Sequence, residues 1–230
     1  MKPVLEVEYL AYGYDHQKPV LHDITFSIVE NESVGIVGGN GAGKSTLIWC
    51  VLGLLKAHGK IRLFGNERST DTRSRVGVVF QNSEDMLFMP MLLDDLILPL
   101  VNRGWSKNQA IERALQVLDQ LGLRSLAHRP AGQFSLGERK RASIASALVG
   151  FPELLVLDEP TAELDGRAAR QLTSILKNLP VARLITSHHL DFLRETTSRV
   201  LVLSSGTLVA EGPSDDILSN DGLLQQAGLI

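Results

Sequence analysis

A glycine-rich segment that ends in a lysine and two hydroxyl residues carries the clearest chemistry in this sequence. The segment reads Gly38-Gly39-Asn40-Gly41-Ala42-Gly43-Lys44-Ser45-Thr46. It matches the spacing G-x-x-x-x-G-K-[ST] of a phosphate-binding loop, in which backbone N–H groups surround the phosphate oxygens. This spacing predicts that Lys44 binds the β- and γ-phosphates of a nucleotide and that the Ser45 hydroxyl binds Mg²⁺.

The residues on either side of this loop have the pattern that a phosphate site requires. An apolar stretch from Val34 to Val37 predicts a buried strand, and apolar residues after the loop recur at helical spacing. A helix N-terminus carries about half a positive charge, which favours an anion at this point. A glycine-rich turn that binds nothing is the structural alternative, and the flanking strand and helix argue against it.

Two acids follow a second apolar run. Leu154 to Leu157 is followed directly by Asp158 and Glu159. In a chain with a phosphate loop, this order predicts that Asp158 holds Mg²⁺, directly or through water. Glu159 would then orient the attacking water or act as its general base. Without the phosphate loop, the same two acids would indicate only the solvated tip of a strand.

Other polar residues follow predicted buried strands and have more than one interpretation. The amide oxygen of Gln81 could reach Mg²⁺ or the attacking water, or Gln81 is an ordinary loop glutamine. A histidine of the pair His188-His189 could contact the γ-phosphate, or it is bonded within the protein. The adjacent pair leaves the choice between the two histidines open.

The segment Ser135-Leu136-Gly137-Glu138 also has two interpretations. As a capping box it explains the start of a helix that runs to about Val149. As a second helix N-terminus, with basic residues behind it, it could offer N–H groups to another phosphate. One nucleotide cannot easily use both phosphate sites within one chain, so the second site predicts two chains arranged head to tail.

Composition and charge exclude several classes of protein. The chain has 230 residues, of which 44% are hydrophobic, and a net charge of −3. We therefore expect a sizeable core and no nucleic-acid partner. The single cysteine, Cys50, predicts a reducing compartment and no internal disulfide. The sequence lacks the apolar core of a signal peptide and a spanning segment of about 20 apolar residues, so a membrane role would need a partner.

The predicted elements that position these residues alternate between strands and helices, which favours a parallel α/β sheet. Strands are expected at 4–7, 24–28, 61–64, 76–80, 154–158 and 184–187, and as a hairpin at 200–203 and 207–210, with a turn at Gly13 and 15–18. Helices are expected at 44–55, after the capping boxes at Ser106 and Ser135, after Asp165 and after Pro213. A further short helix is expected to follow the strand at 184–187 and to end at about Thr196.

The stretch 86–150 interrupts this alternation and predicts an inserted helical subdomain. Its first part, 86–104, is apolar and is expected to be broken by Pro90 and Pro99. The remaining residues, about 1–85 and 151–230, would form the core of one domain. The methionine-rich part Met86–Leu93 is either subdomain core or an adaptable apolar groove for a partner's helix.

The order of these motifs resembles the nucleotide-binding domain of ABC ATPases over essentially the whole chain. The resemblance rests on the phosphate loop, Gln81, Phe134–Glu138, Leu154–Thr161, Leu164-Asp165 and His188. It implies a P-loop NTPase core with a parallel sheet, an N-terminal antiparallel β subdomain and an inserted α-helical subdomain. It also implies an ATP-hydrolysing motor subunit of a membrane transporter, with ATP and Mg²⁺ as ligands. The implied partners are a second ATPase chain, identical or paralogous, and an integral membrane subunit, at the cytoplasmic face of the cell membrane.

The resemblance assigns a role to individual residues. Tyr14 matches the aromatic residue that stacks on adenine, and Asp165 matches the D-loop aspartate at the dimer seam. The implied catalytic residues are Glu159, the switch histidine His188 and the Q-loop glutamine Gln81. The implied metal ligands are Ser45, Gln81 and Asp158. The implied nucleotide contacts are Tyr14, all nine residues of the phosphate loop, and Ser135, Gly137 and Glu138 of the signature, which would contact the partner chain's nucleotide.

Three positions depart from the family pattern. Leu136 stands where the family usually has glycine, Gly39 replaces a more usual proline, and His189 stands where an acid is commoner. Because Ser135 and Gly137 are kept, we expect the signature to function.

A finer resemblance concerns the cargo. Val78–Phe88 is similar to the Q-loop segment of energy-coupling-factor importers of metals and vitamins, and Leu184–Asp191 adds to the similarity. Ser83 and Met86 depart from that group's usual proline and glutamine. The resemblance implies uptake of a metal ion or vitamin. An ABC ATPase without a transport role and the ATPase of an exporter are the alternatives.

Overall fold

The computed structural model describes residues 2–15, 18–82 and 86–229. Part of the predicted turn at 15–18 and the departure at Ser83 therefore lie outside the described residues. The strands are β1 (Pro3–Asp15), β2 (Lys18–Val29), β3 (Ser33–Val37), β4 (His58–Leu63), β5 (Asn66–Glu67), β6 (Val76–Val79), β7 (Leu154–Asp158), β8 (Ala182–Thr186), β9 (Arg199–Ser204) and β10 (Thr207–Pro213). The helices are α1 (Lys44–Leu52), α2 (Thr70–Ser74), α3 (Leu92–Asn102), α4 (Lys107–Gln120), α5 (Leu136–Val149), α6 (Gly166–Lys177), α7 (Leu190–Thr196), α8 (Ser214–Leu218) and α9 (Asp221–Gln226).

The strands form two sheets. The N-terminal sheet is antiparallel, with the order β2-β1-β4-β5, and the larger sheet has the order β10-β9-β3-β8-β7-β6. In the larger sheet, β9, β3, β8, β7 and β6 pair in parallel, and β10 pairs with β9 as the antiparallel strand of the expected hairpin. The predicted parallel sheet is therefore present and carries one antiparallel edge strand.

The central strands of the larger sheet are buried on both faces. Every residue of β3, β7 and β8 is buried, as expected for parallel strands with helices on either side. Alternate residues of β7 enter different clusters. Leu154 and Val156 pack in the cluster that contains Leu47 of α1, whereas Leu155 and Leu157 pack in the cluster that includes residues of α3 to α7. This period of two places α1 on one face of the sheet and α3 to α7 on the opposite face.

Helices α3, α4 and α5 pack on one another, and α5 also packs on β6. The predicted break at Pro99 is wrong, because α3 runs through this proline. Pro99 has no N–H to donate to the carbonyl of Asp95, and the buried side chains of Leu92, Leu96 and Leu100 hold the helix against the core instead. The division of the chain into a core and a helical subdomain at 86–150 stays a prediction.

Several helix ends follow the predicted local rules. Ser106 and Ser135 each form a capping box, and Asp165 accepts the N–H groups of Arg167 and Ala168 at the start of α6. Helix α1 ends at Leu52, earlier than predicted, because Gly53 takes a left-handed conformation with φ +75°.

Two other local predictions need correction. Gly13, expected in a turn, lies within β1, and the expected single C-terminal helix is two short helices, α8 and α9. Among the described residues, no helix combines the length and the apolar character needed to cross a bilayer.

Candidate active site

The loop between β3 and α1 has a backbone that requires glycine. Gly41 and Gly43 have φ angles of +78° and +106°, which side chains with a Cβ rarely adopt. A Cβ on Gly38 would lie 2.4 Å from the carbonyl oxygen of Leu203. The tight approach to β9 and the positive φ angles place the start of α1, at Lys44, directly beside the end of β3.

The ammonium of Lys44 lies across this loop. Its Nζ donates to the carbonyl oxygen of Gly38 at 2.7 Å and to that of Gly39 at 3.3 Å. The same nitrogen lies 3.6 Å from Oε1 of Glu159, and both side chains are more than nine-tenths buried. A buried positive charge therefore occupies the position at which the sequence predicts phosphate binding.

Glu159 is the centre of a second set of contacts. Its Oε2 accepts from the backbone N–H of His188 at 3.3 Å and lies 2.9 Å from Nδ1 of the same residue. Its own N–H donates to the carbonyl and to the hydroxyl oxygen of Thr186, each at 3.1 Å. Of the two adjacent histidines, His188 contacts Glu159, whereas the His189 N–H donates to Ser187 Oγ.

Asp158 is buried at the end of β7. The hydroxyl of Thr186 donates to its Oδ1 at 2.6 Å, and Asp158 lines a cavity of about 830 Å³ together with Ser45 and Gln81. No group of three or more His, Cys, Asp or Glu among the described residues has the geometry of a metal site. One carboxylate with a hydroxyl and an amide fits Mg²⁺, which takes few protein ligands and completes its shell with water and phosphate oxygens.

A smaller cavity of about 280 Å³ lies beside the phosphate loop. It is lined by loop residues, by the Q-loop glutamine and by the Glu159–His188 pair; these are Asn40, Gly41, Ala42, Gly43, Lys44, Ser45, Thr46, Gln81, Glu159 and His188, with Val20. Gly38 and Gly39 contribute the carbonyls that Lys44 contacts. The structure therefore brings the predicted catalytic residues Glu159, His188 and Gln81 to the phosphate loop, and Asp158 joins Ser45 and Gln81 in the larger cavity.

Tyr14 lies near the same loop. Its hydroxyl is 3.3 Å from Oγ1 of Thr46, and its ring meets the ring of Tyr12 edge to face at 5.1 Å. Tyr14 is 57% exposed, so much of its surface is accessible to a ligand, and an aromatic ring offers a face for stacking.

The signature residues lie in a different place. Ser135, Gly137 and Glu138 line a separate cavity of about 470 Å³, together with Asp165. The N–H and the hydroxyl of Ser135 donate to Glu138, and these bonds lower the pKa of its carboxyl. A Cβ on Gly137 would lie 2.9 Å from the Cβ of Ala168, so a glycine is needed where α5 meets α6. None of these three signature residues lines the cavity beside the phosphate loop.

Two residues that contact the site are absent from the sequence-based prediction. Thr186 is hydrogen-bonded to Asp158 and Glu159. Its position as a polar residue at the end of an apolar run could have indicated a place in the site. Lys140 is 1% exposed and donates to the main-chain oxygen of Gln81 at 2.6 Å. The helical spacing of the sequence could have indicated its burial, because Lys140 precedes the apolar residues Ile144 and Leu148 by one and two turns of α5.

The comparison with known families decides the identity of the chain. A family model described as ABC transporter matches residues 21–162. An ABC transporter ATP-binding protein from Geobacter sulfurreducens is 40% identical over 226 residues, which cover 96% of this chain and 91% of the relative. The chain belongs to the ABC transporter ATP-binding family.

Two further relatives of this ABC ATPase support the assignment. A Synechocystis ABC transporter ATP-binding protein is 38% identical, over 99% of this chain and 81% of the relative. CbiO1 from Clostridium perfringens, described as part of the ABC transporter complex CbiONQ, superposes with a TM-score of 0.88. It is 29% identical, and the alignment covers 100% of this chain and 96% of CbiO1.

Family membership confirms the predicted fold class and enzyme class. This ABC ATPase is a nucleotide-binding, ATP-hydrolysing motor subunit of the ABC transporter family, with an antiparallel sheet and a mainly parallel sheet. The roles of the individual site residues stay predictions.

We expect Thr186→Val to destabilise the protein. The substitution removes the donor to Asp158 Oδ1, and a buried acceptor left without a partner costs about 1–3 kcal/mol. Urea unfolding followed by circular dichroism measures this difference. Thr186→Ser keeps the hydroxyl and serves as the control. Equal unfolding free energies for the Val and Ser variants would contradict the assigned role of this bond.

Proposed function

We propose that this ABC ATPase is the motor of an importer in which two ATPase chains close head to tail over ATP. The observation that carries the proposal is the contact of the buried Lys44 and Glu159 with each other and with the half-exposed His188, beside the phosphate loop. This set of residues contains the cation that a triphosphate needs and the carboxylate that an attacking water needs.

The ligands have an assigned place in this proposal. The phosphates of ATP lie against the N–H groups of the loop and against Lys44, which exchanges its bonds to the Gly38 and Gly39 carbonyls for phosphate oxygens. Ser45, Gln81 and Asp158 would hold Mg²⁺. When bound, Mg²⁺ would neutralise the negative charge that develops on the phosphate oxygens. The accessible ring of Tyr14 stacks on the adenine.

Glu159 orients the attacking water in this scheme. The residue is held by three contacts, from Lys44 and from the N–H and Nδ1 of His188. These contacts fix the carboxylate at the edge of the 280 Å³ cavity. His188 is also half exposed, so the same side chain can reach the γ-phosphate position and report its loss through Glu159.

The separate location of the signature supports a second chain. Ser135 and Gly137 stand at the N-terminus of α5, which favours an anion, but no phosphate-loop residue lines their cavity. A nucleotide bound to the loop of a partner chain, a copy or a paralogue, would supply that anion. ATP then binds the closed pair better than the open chains and shifts the equilibrium toward closure. Loss of the γ-phosphate reopens the pair.

The segment after Gln81 supports a membrane partner. Leu92 and Leu93 are buried in the core, whereas Phe88 is 82% exposed and Met91 is 42% exposed. The backbone N–H groups of Phe88 and Met89 donate to Oδ1 of the buried Asp95 at 2.9 and 3.1 Å, which holds the main chain that carries the exposed ring. The methionine-rich segment therefore contributes both to core and to an exposed apolar surface. We assign that surface to a helix of an integral membrane subunit, at the cytoplasmic face of the membrane.

The cargo assignment rests on the relatives. CbiO1, part of the CbiONQ transporter complex, matches this chain over its whole length, and Val78–Phe88 is similar to the Q-loop segment of energy-coupling-factor importers. We infer uptake of a metal ion or vitamin, with the cargo chosen by the membrane subunits.

We expect Glu159→Gln to bind ATP and hardly hydrolyse it. The amide keeps the size of the side chain but removes the group that accepts a proton, and general base catalysis contributes roughly 10²–10⁴-fold to a rate. Steady-state ATPase assays and binding of a fluorescent ATP analogue measure the two effects. Glu112→Gln, on the exposed face of α4, is the matched control. Turnover near that of the unmodified chain would show that Glu159 is not the base.

We expect Phe88→Asp to lose the membrane partner while the isolated chain keeps its ATPase activity. A charge on the exposed apolar surface opposes docking of an apolar helix. Val209→Asp replaces another exposed apolar residue, which lies on β10 and is 51% exposed, and is the control. The measurement is the recovery of one integral membrane protein, identified by mass spectrometry, with the tagged chain from native membranes. Equal recovery with both variants would place the docking surface elsewhere.

A further inference from the structure

Lys140 is a buried lysine of α5 that the proposed hydrolysis scheme does not use. It is the largest of the side chains that are less than 2% exposed. Its Nζ donates to the main-chain oxygen of Gln81 at 2.6 Å, a charge-assisted bond and therefore one of the stronger kinds. Because a buried charge is costly unless it is hydrogen-bonded, the main-chain oxygen of Gln81 is an important acceptor for this ammonium.

The surroundings of Lys140 connect it to the active site. It lines the 830 Å³ cavity that also contains Ser45, Asp158 and Glu163. Burial lowers the pKa of the Lys140 ammonium, while the charges of Glu163 and Asp158 act in the opposite direction.

The position of Lys140 in the chain joins two functional regions. It lies on α5, the helix whose N-terminus carries Ser135 and Gly137. Its acceptor, Gln81, follows β6 and precedes the segment with the exposed Phe88. The hydrogen bond from Lys140 therefore connects the Q-loop main chain to the signature helix.

We propose that Lys140 is a positioning residue that makes the signature helix follow the main chain of Gln81 when nucleotide binds. This inference rests on the proposed function. If Gln81 moved alone, the buried ammonium would lose its acceptor, and a buried charge without a partner is strongly unfavourable. Joint movement of Gln81 and α5 keeps the bond and carries the nucleotide state to Ser135 and Gly137.

The first test compares ATP binding with ATP-driven association. In the Glu159→Gln background, we expect Lys140→Met to bind a fluorescent ATP analogue with a Kd within about threefold of the parent. We expect the chain concentration needed for ATP-dependent association to rise at least tenfold. Lys140→Arg keeps a cationic donor, for which the adjoining cavity has space, and should restore association at least in part. Lys177→Met, at the exposed end of α6, is the control.

The outcomes of this test separate the two proposals. Parent-like association of Lys140→Met overturns the role of Lys140, and so does an Arg variant that fails as completely as the Met variant while binding ATP normally. Failure of the parent itself to associate with ATP refutes a head-to-tail pair of two copies of this chain instead, and leaves Lys140 to the second test.

The second test uses the unmodified chain, so it does not depend on folding of a variant. Hydrogen–deuterium exchange is followed at residues 76–82 and 134–141, at a chain concentration below that of association. We expect Mg²⁺–ATP to slow exchange in both segments. A change at 76–82 with no change at 134–141, or no change at either, overturns the inference. In Lys140→Met, the response at 76–82 should remain and that at 134–141 should disappear.

Discussion

The parallel pairing of β3, β8 and β7 determines where the charged groups of the active site lie. The three strands are adjacent in the sheet and buried along their length. Their carboxyl ends therefore meet at one edge, which is where open α/β sheets bind ligands. Lys44 follows β3 through the phosphate loop, Asp158 and Glu159 end β7, and His188 follows β8. The reaction centre is thus a consequence of strand order.

Burial of these charges sets the second condition on the structure. Lys44, Asp158 and Glu159 are each less than 10% exposed, and buried charges are costly unless they are paired or hydrogen-bonded. The main-chain oxygen of Gly38, the Thr186 hydroxyl and the N–H of His188 meet part of that requirement. In the proposed function, an anionic triphosphate with a divalent cation would meet the rest.

Local sequence rules account for much of this structure. The phosphate loop, the capping boxes at Ser106 and Ser135, and the Asp165 cap depend on residues within a few positions of one another. The buried strands also follow from short apolar runs. These features were predictable because neighbouring residues determine them.

The errors and omissions have tertiary causes. Pro99 lies within α3 because the buried face of that helix offsets one lost hydrogen bond, and packing of that kind is not visible in a local pattern. Lys140 lies between two other basic residues, Arg139 and Arg141, so its type alone gave no sign of burial, but its bond to Gln81 places it against the Q-loop. The sequence indicated that one nucleotide cannot use both the signature and the phosphate loop of one chain, but the residues that line the two cavities are identified only in three dimensions.

Closure of two chains by ATP is the central claim, and the association state of Glu159→Gln tests it most directly. Light scattering of this variant is measured under three conditions, which are Mg²⁺–ATP, Mg²⁺–ADP and no nucleotide. The account predicts a dimer with ATP and monomers in the other two conditions, because only ATP presents a γ-phosphate to the partner's signature. An association state that does not depend on nucleotide, whether monomer or dimer throughout, would contradict closure of copies of this chain by ATP.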